Sequence, residues 1–107
     1  VVTNDSWYGN SSGPYQHKEI SVLRAVENRR TIVRAANGGI SCIINPLGET
    51  ISKTEMFTKK VLVGDVELIT EKTFFTNYPL LFPYLSIFSS IIVSLYTFLK
   101  GLFLVKN

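Results

Sequence analysis

The sequence predicts an α+β domain followed by one membrane-spanning helix, and three observations carry that reading. Of 11 Lys+Arg and 8 Asp+Glu in 107 residues, nearly all lie in residues 1–72. Between Lys72 and Lys100 runs a charge-free span of 27 residues, against the roughly 20 that a helix needs to cross a bilayer core. Within the charged part, short β-branched runs surround one long segment of helical periodicity. A chain of this length has room for one small domain.

Each element has its own local signal. Val1-Val2-Thr3 is a β-rich run that leaves its strand through the polar pair Asn4-Asp5. Ser6 to Gly13, crowded with Gly, Ser and Asn, reads as a loop carrying Trp7 and Tyr8. Pro14 suits the start of a helix, where its missing N–H costs nothing, and the helix is expected to run to Arg29. Ile20, Leu23 and Val26, with Val22 and Ala25, are expected to form its core-facing stripe, and Lys18, Glu19 and Arg29 its solvated side. Thr31-Ile32-Val33 begins a strand that breaks at Asn37-Gly38-Gly39, and Ile40 to Ile44 is its hairpin partner. Asn45-Pro46-Leu47-Gly48 is a turn initiated by Pro, with Glu49-Thr50-Ile51 starting another strand. A further strand is expected from Lys60 to Leu68, with Gly64 as a bulge or a close backbone approach.

From Tyr78 the composition changes, and residues 79–99 read as the transmembrane helix after a linker at 73–78. Its only polar side chains after Tyr84 are Ser86, Ser89, Ser90, Ser94, Tyr96 and Thr97, and such hydroxyls pack against membrane helices and bond backbone carbonyls. Lys100 and Lys106 follow, so the positive-inside bias puts residues 100–107 in the cytoplasm as a short tail. The charged part then lies on the opposite side.

Charge and rare residues exclude several function classes. The net charge of +3 is scattered, and no basic stripe interleaved with aromatics supports a nucleic-acid partner. A single Cys forms no internal disulfide, and a single His with it gives no metal cluster.

Longer motifs go further. Asn4-Asp5-Ser6-Trp7-Tyr8-Gly9, Gly13-Pro14-Tyr15-Gln16-His17, Arg24-Ala25-Val26-Glu27-Asn28, Arg34-Ala35-Ala36-Asn37-Gly38-Gly39-Ile40-Ser41 and Ile44-Asn45-Pro46-Leu47-Gly48 follow one another within 48 residues. Together they resemble the later half of a nitrilase-type (carbon–nitrogen hydrolase) domain, and among such domains most closely that of the apolipoprotein N-acyltransferases. The resemblance covers residues 1–72 and implies the C-terminal part of a nitrilase-like α-β-β-α sandwich. A single membrane helix after that domain fits the same family and separates it from the soluble amidases.

What the family does follows as implication. It transfers an acyl chain from a phospholipid donor, through a Cys thioester, to the N-terminal amino group of diacylglyceryl-cysteine in an apolipoprotein. The nucleophilic Cys, the Glu base and the Lys of the oxyanion site precede the resembled block. The expectation is therefore no catalytic residue, no cofactor and no acyltransferase activity in this chain alone. Its partners would be membrane lipid, the apolipoprotein substrate and the missing N-terminal half. Its location would be the bacterial inner membrane, with the nitrilase-like part periplasmic. Two other readings stay open: a fragment of a soluble-type amidase, and a membrane-anchored non-catalytic remnant. Residues 1–72 alone are expected to fold poorly.

The resemblance also sorts the residues. Trp7, Tyr15 and His17 become candidates for lining the substrate pocket, Trp7 foremost because its position is matched by a Trp at the acyl-chain cavity. Arg24, Glu27 and Asn28 are expected to be structural, locking helix to sheet, and Gly39 to serve backbone geometry. Cys42 lies in the apolar run Ile40 to Ile44, with no Lys or Glu arranged to lower its pKa, and reads as a buried structural residue rather than the nucleophile.

Overall fold

The computed structural model describes residues 1–105. Its contacts divide the chain into two units, Val1–Thr76 and a second beginning at Asn77. In the first, β1 (Val2–Asn4) leads through a 3-10 turn (Ser6–Tyr8) into α1 (Gly13–Asn28), followed by β2 (Ile32–Asn37), β3 (Cys42–Ile44) and β4 (Thr50–Lys53). The four strands form one sheet in the order β1-β2-β3-β4. β1 runs parallel to β2, with Val2 opposite Ala35, and α1 makes the crossover that parallel neighbours require. β2 and β3 are the expected antiparallel hairpin, and β4 returns antiparallel to β3 with a register shift at Ile43/Ile44.

The hairpin turns are built by local chemistry. Asn45 receives the backbone N–H groups of Leu47 and Glu49 on its side-chain oxygen, at 3.0 and 2.9 Å. Gly48 closes that turn at φ 87°, and a Cβ there would meet Val26 Cγ2 at 2.8 Å.

The core is small and lies between α1 and one face of the sheet. Ala25, Cys42 and Ile44 are fully buried, with Val22 and Ile32 packed against them. The stripe expected on α1 holds at Val22 and Ala25 but is corrected at its other three residues: Ile20 and Leu23 are each 54% exposed, and Val26 45%. The helix instead turns Pro14, Ser21 and Ala25 inward. Small side chains let it approach the sheet closely, and Ser21 is needed there to accept a hydrogen bond from Arg34.

The opposite face of the sheet is open over β1 and β2, where Val2, Val33 and Ala35 are exposed. Over β3, however, Ile43 is only 6% exposed, and Ser52, directly across from it, has a buried hydroxyl without a partner among the described residues. The strand expected from Lys60 to Leu68 does not form. Val61, Val63 and Leu68 are at least 84% exposed. Gly64 passes over the Ile43 side chain, with 2.7 Å between an added Cβ and Ile43 Cδ1. The segment thus crosses above the sheet rather than pairing at its edge, so its β-branched residues gain no ladder partner. It ends at α2 (Phe74–Asn77).

The second unit is dominated by α3 (Leu81–Val105). It begins at Leu81 and continues through Lys100 and Gly101, beyond the expected end at 99. Lys106 lies outside the described residues. The stretch Leu81–Phe103 is long and apolar enough to cross a membrane, at 23 residues or about 35 Å. Three of its hydroxyls turn back on their own helix: Ser89 and Ser90 both donate to the Ser86 carbonyl, and Thr97 to those of Val93 and Ser94. No hydroxyl proton in those bonds is left for water to satisfy.

Candidate functional site

The densest polar chemistry sits where β1 ends, beneath the start of α1. Asp5 and Arg34 are both buried, at 0% and 4% exposure. Arg34 Nη2 donates to Asp5 Oδ2 at 2.6 Å, Nη1 to Ser21 Oγ at 3.2 Å, and Nε to the Ile40 carbonyl at 3.2 Å. The guanidinium thereby ties β2 to β1, to α1 and to the loop before β3. Asp5 Oδ1 receives Thr3 Oγ1 at 3.2 Å and lies 3.0 Å from His17 Nδ1. With a proton on Nδ1 donated to that carboxylate, His17 Nε2 is left to accept from the Tyr8 hydroxyl at 3.4 Å. The Tyr8 and His17 rings meet edge to face with centroids 5.0 Å apart.

Electrostatics fix the state of this cluster. Burial acts to raise the Asp5 pKa, but the His17 bond and the charge and bond of Arg34 outweigh it and hold the carboxyl below its ordinary 3.8. An ionised carboxylate saturated with donors is a brace rather than a base. The surrounding backbone is shaped to admit it. Gly39 faces the carboxylate so closely that an added Cβ would collide with Asp5 Oδ2, and would stand 2.7 Å from Asp5 Cβ. Gly39 is therefore required for space. The left-handed conformation belongs to its neighbour Gly38, at φ 71° against the Ser6 backbone.

The candidate pocket residues do not gather in one place. Trp7 stands on the 3-10 turn, 84% exposed. Tyr15 lines a cavity of about 430 Å³ with Ile40, Lys53, Met56 and Phe57. His17 turns away from that cavity to Asp5, and Tyr8, not Trp7, is what it touches. Arg24 and Glu27 pair at 2.7 Å on the exposed side of α1. Glu27 and Asn28 hold the chain near α2 rather than the sheet: the Thr73 hydroxyl donates to the Glu27 carbonyl, and the Thr76 hydroxyl to Asn28 Oδ1.

Cys42 is fully buried. Burial pushes its thiol pKa up against the opposing pull of Lys18 and Arg34, cations the sequence reading did not place beside it. The two central residues, Asp5 and Arg34, show in the sequence only as a polar strand exit and as one position of a motif. The available signal was a lone acidic residue next to a β run and an Arg at an inward position of a β-branched strand. Among the described residues no three of His, Cys, Asp and Glu are placed to hold a metal ion.

Comparison with known proteins agrees with the motifs. The sequence model of the carbon–nitrogen hydrolase family matches residues 1–73. An apolipoprotein N-acyltransferase of Geobacter metallireducens is 41% identical over 97 residues, which is 91% of this chain and 19% of that protein. One from Rickettsia bellii is 64% identical over 55 residues, covering 51% of this chain and 11% of the relative. One from Wigglesworthia glossinidia brevipalpis is 39% identical over 110 residues, covering 100% of this chain and 21% of the relative. The chain thus spans about a fifth or less of the length of these curated relatives.

Proposed function

The chain belongs to the carbon–nitrogen hydrolase family, and from that premise we propose that it is the C-terminal portion of an apolipoprotein N-acyltransferase. Such an enzyme passes a phospholipid acyl chain to the N-terminal amine of diacylglyceryl-cysteine in lipoproteins. The observation that carries this reading is the span of the likeness. The match to the Wigglesworthia protein covers the whole chain, so it includes the apolar helix as well as the family-matched residues 1–73. A fragment of a soluble amidase gives no reason for that continuity.

In this proposal residues 1–72 complete a nitrilase-like sandwich, 73–78 link it to the membrane, and α3 spans the bacterial inner membrane with its C-terminal end in the cytoplasm. The open sheet face of Val2, Val33 and Ala35 supports a second sheet packing there, since an apolar face of this kind is stable when covered. The acyl donor would be membrane phospholipid and the acceptor an apolipoprotein. Trp7, exposed and large, is the residue proposed to meet the acyl chain, and Tyr15 a second candidate from its own cavity. His17 would act from behind by holding Tyr8 and hence the 3-10 turn that carries Trp7. Arg24, Glu27, Asn28 and Gly39 serve structure in the contacts described above. The thioester chemistry falls to residues other than Cys42, whose thiol is buried and held protonated.

The test is acyl transfer by the native protein, captured from membranes through an antibody to its C-terminal peptide. Labelled phospholipid and a diacylglyceryl-cysteine peptide should give N-acylated peptide, and Trp7→Ala should lower that rate at least tenfold. Absence of any transfer from native protein that is folded and lipid-replete would overturn the proposal.

A further inference from the structure

The far end of α1 from Asp5 carries a second feature. The helix stops at Arg29, which adopts the left-handed conformation, φ 46°, at a position where Gly or Asn is usual. An arginine held there at a conformational cost invites a functional explanation. Arg29 lines a cavity of about 660 Å³ with Pro46, Ile69, Lys72, Phe74 and Phe75. Neither Arg29 nor Lys72 has an ion-pair partner among the described residues. Two carboxylates share the wall: Glu27 is taken by Arg24, whereas Glu71, whose backbone carbonyl accepts from Arg30 at 3.3 Å, has no ion-pair partner for its carboxylate among the described residues. The wall therefore offers two uncommitted cations against one uncommitted carboxylate, a net positive site above an apolar, partly aromatic floor.

We propose that this cavity binds the headgroup of an anionic phospholipid. Arg29 and Lys72 hold the phosphodiester, while Phe74, Phe75 and Ile69 lie along the glycerol and first methylenes. The occupant is a membrane lipid rather than a free anion because of where the cavity falls in the chain. Only the five residues from Thr76 to Leu80 separate Phe75 from the first residue of α3, a reach of at most about 20 Å. This inference rests on α3 spanning a membrane. Cations at such a surface favour anionic lipid by about fivefold each.

The experiment uses the full chain in phosphatidylcholine vesicles containing a minor amount of spin-labelled phosphatidylglycerol or spin-labelled phosphatidylcholine. Phosphatidylglycerol should associate preferentially, and Arg29→Gln combined with Lys72→Gln should remove about fivefold of that preference per charge lost. Lys59→Gln combined with Lys60→Gln, two cations outside the cavity, should leave the preference intact. An unchanged preference in the first variant, or an equal fall in the second, overturns the proposal. So does displacement of the lipid by millimolar glycerol phosphate, which would make the cavity a site for free anions. Far-UV circular dichroism confirms that each variant is folded. Carbonate extraction of the same vesicles scores the spanning helix separately: release of the chain breaks that reading, whereas a retained chain without lipid preference breaks this one alone.

Discussion

The two faces of the four-stranded sheet are finished differently. Beneath α1, Ile32, Arg34, Cys42 and Ile44 meet a helix that presents small residues, and each hydrogen-bonding nitrogen of Arg34 has a partner. On the reverse, Val2, Val33 and Ala35 stand exposed, and the Ser52 hydroxyl is buried without an acceptor. A sheet needs one face covered for stability and tolerates a polar second face, yet over β1 and β2 this second face is apolar and exposed, while over β3 the segment around Gly64 covers Ile43. The difference teaches that the stability of the charged unit is concentrated on one side, while the other side is shaped for something laid against it.

Substitutions can break that contrast or sharpen it. The largest effect is expected from Arg34→Met, which leaves the buried Asp5 carboxylate with only His17 and Thr3 as partners and without its permanent cation, at a cost of about 3–5 kcal/mol. Urea unfolding of the full chain in detergent, followed by circular dichroism, reads that loss; a shift under about 1 kcal/mol would mean the pair is not what holds the covered face. Ile44→Ala should follow at about 2–4 kcal/mol, because the residue is fully buried. Gly39→Ala should cost about 1–3 kcal/mol by driving a methyl into the Asp5 carboxylate, and Gly38→Ala is no control for it because Gly38 has its own left-handed backbone. The smallest effect belongs to the open face: Val33→Ser should change stability by less than about 0.5 kcal/mol. If Val33→Ser costs as much as Ile44→Ala, the contrast between the faces is wrong.

Acid gives an independent check on the covered face. The folded Asp5 pKa lies below the ordinary 3.8, so the carboxylate contributes its full stabilisation above that value. The contribution is lost as pH falls through the lower folded value. The urea midpoint should therefore hold near neutrality and drop below about pH 4, and Asp5→Asn should flatten that drop. A midpoint that rises on acidification would reverse the assigned sign.

How much of this was legible in the sequence depended on the range of the interaction. The Asn45 to Gly48 turn could be read because its bonds join residues at most four apart. The extent of α1 and the β2–β3 pair were legible for the same reason. The inward side of α1 was not, since Ile20, Leu23 and Val26 outrank Ser21 in hydrophobicity and only the contact with Arg34 explains why Ser21 faces the sheet. That contact, and the pairing of Arg34 with Asp5 across 29 positions, leave no periodic trace in a single sequence. The parallel placement of β1 beside β2 was hidden likewise. Lys60 to Leu68 misled in the other direction, because β-branched composition reports a preference for pairing but not the presence of a partner. At the site, the motifs brought Trp7, Tyr15 and His17 to attention, and the geometry added that His17 belongs with Asp5 and Tyr8.

Cys42 has a use that follows from its burial. Its thiol is the only one in the chain and has no exposed surface, so a thiol reagent in solution can reach it only when α1 lifts from the sheet. At low reagent its labelling rate counts how often the covered face opens, and at saturating reagent it reports the opening rate itself. The residue that looks most like a nucleophile is thus a clock for the breathing of the fold, readable by the mass the reagent adds.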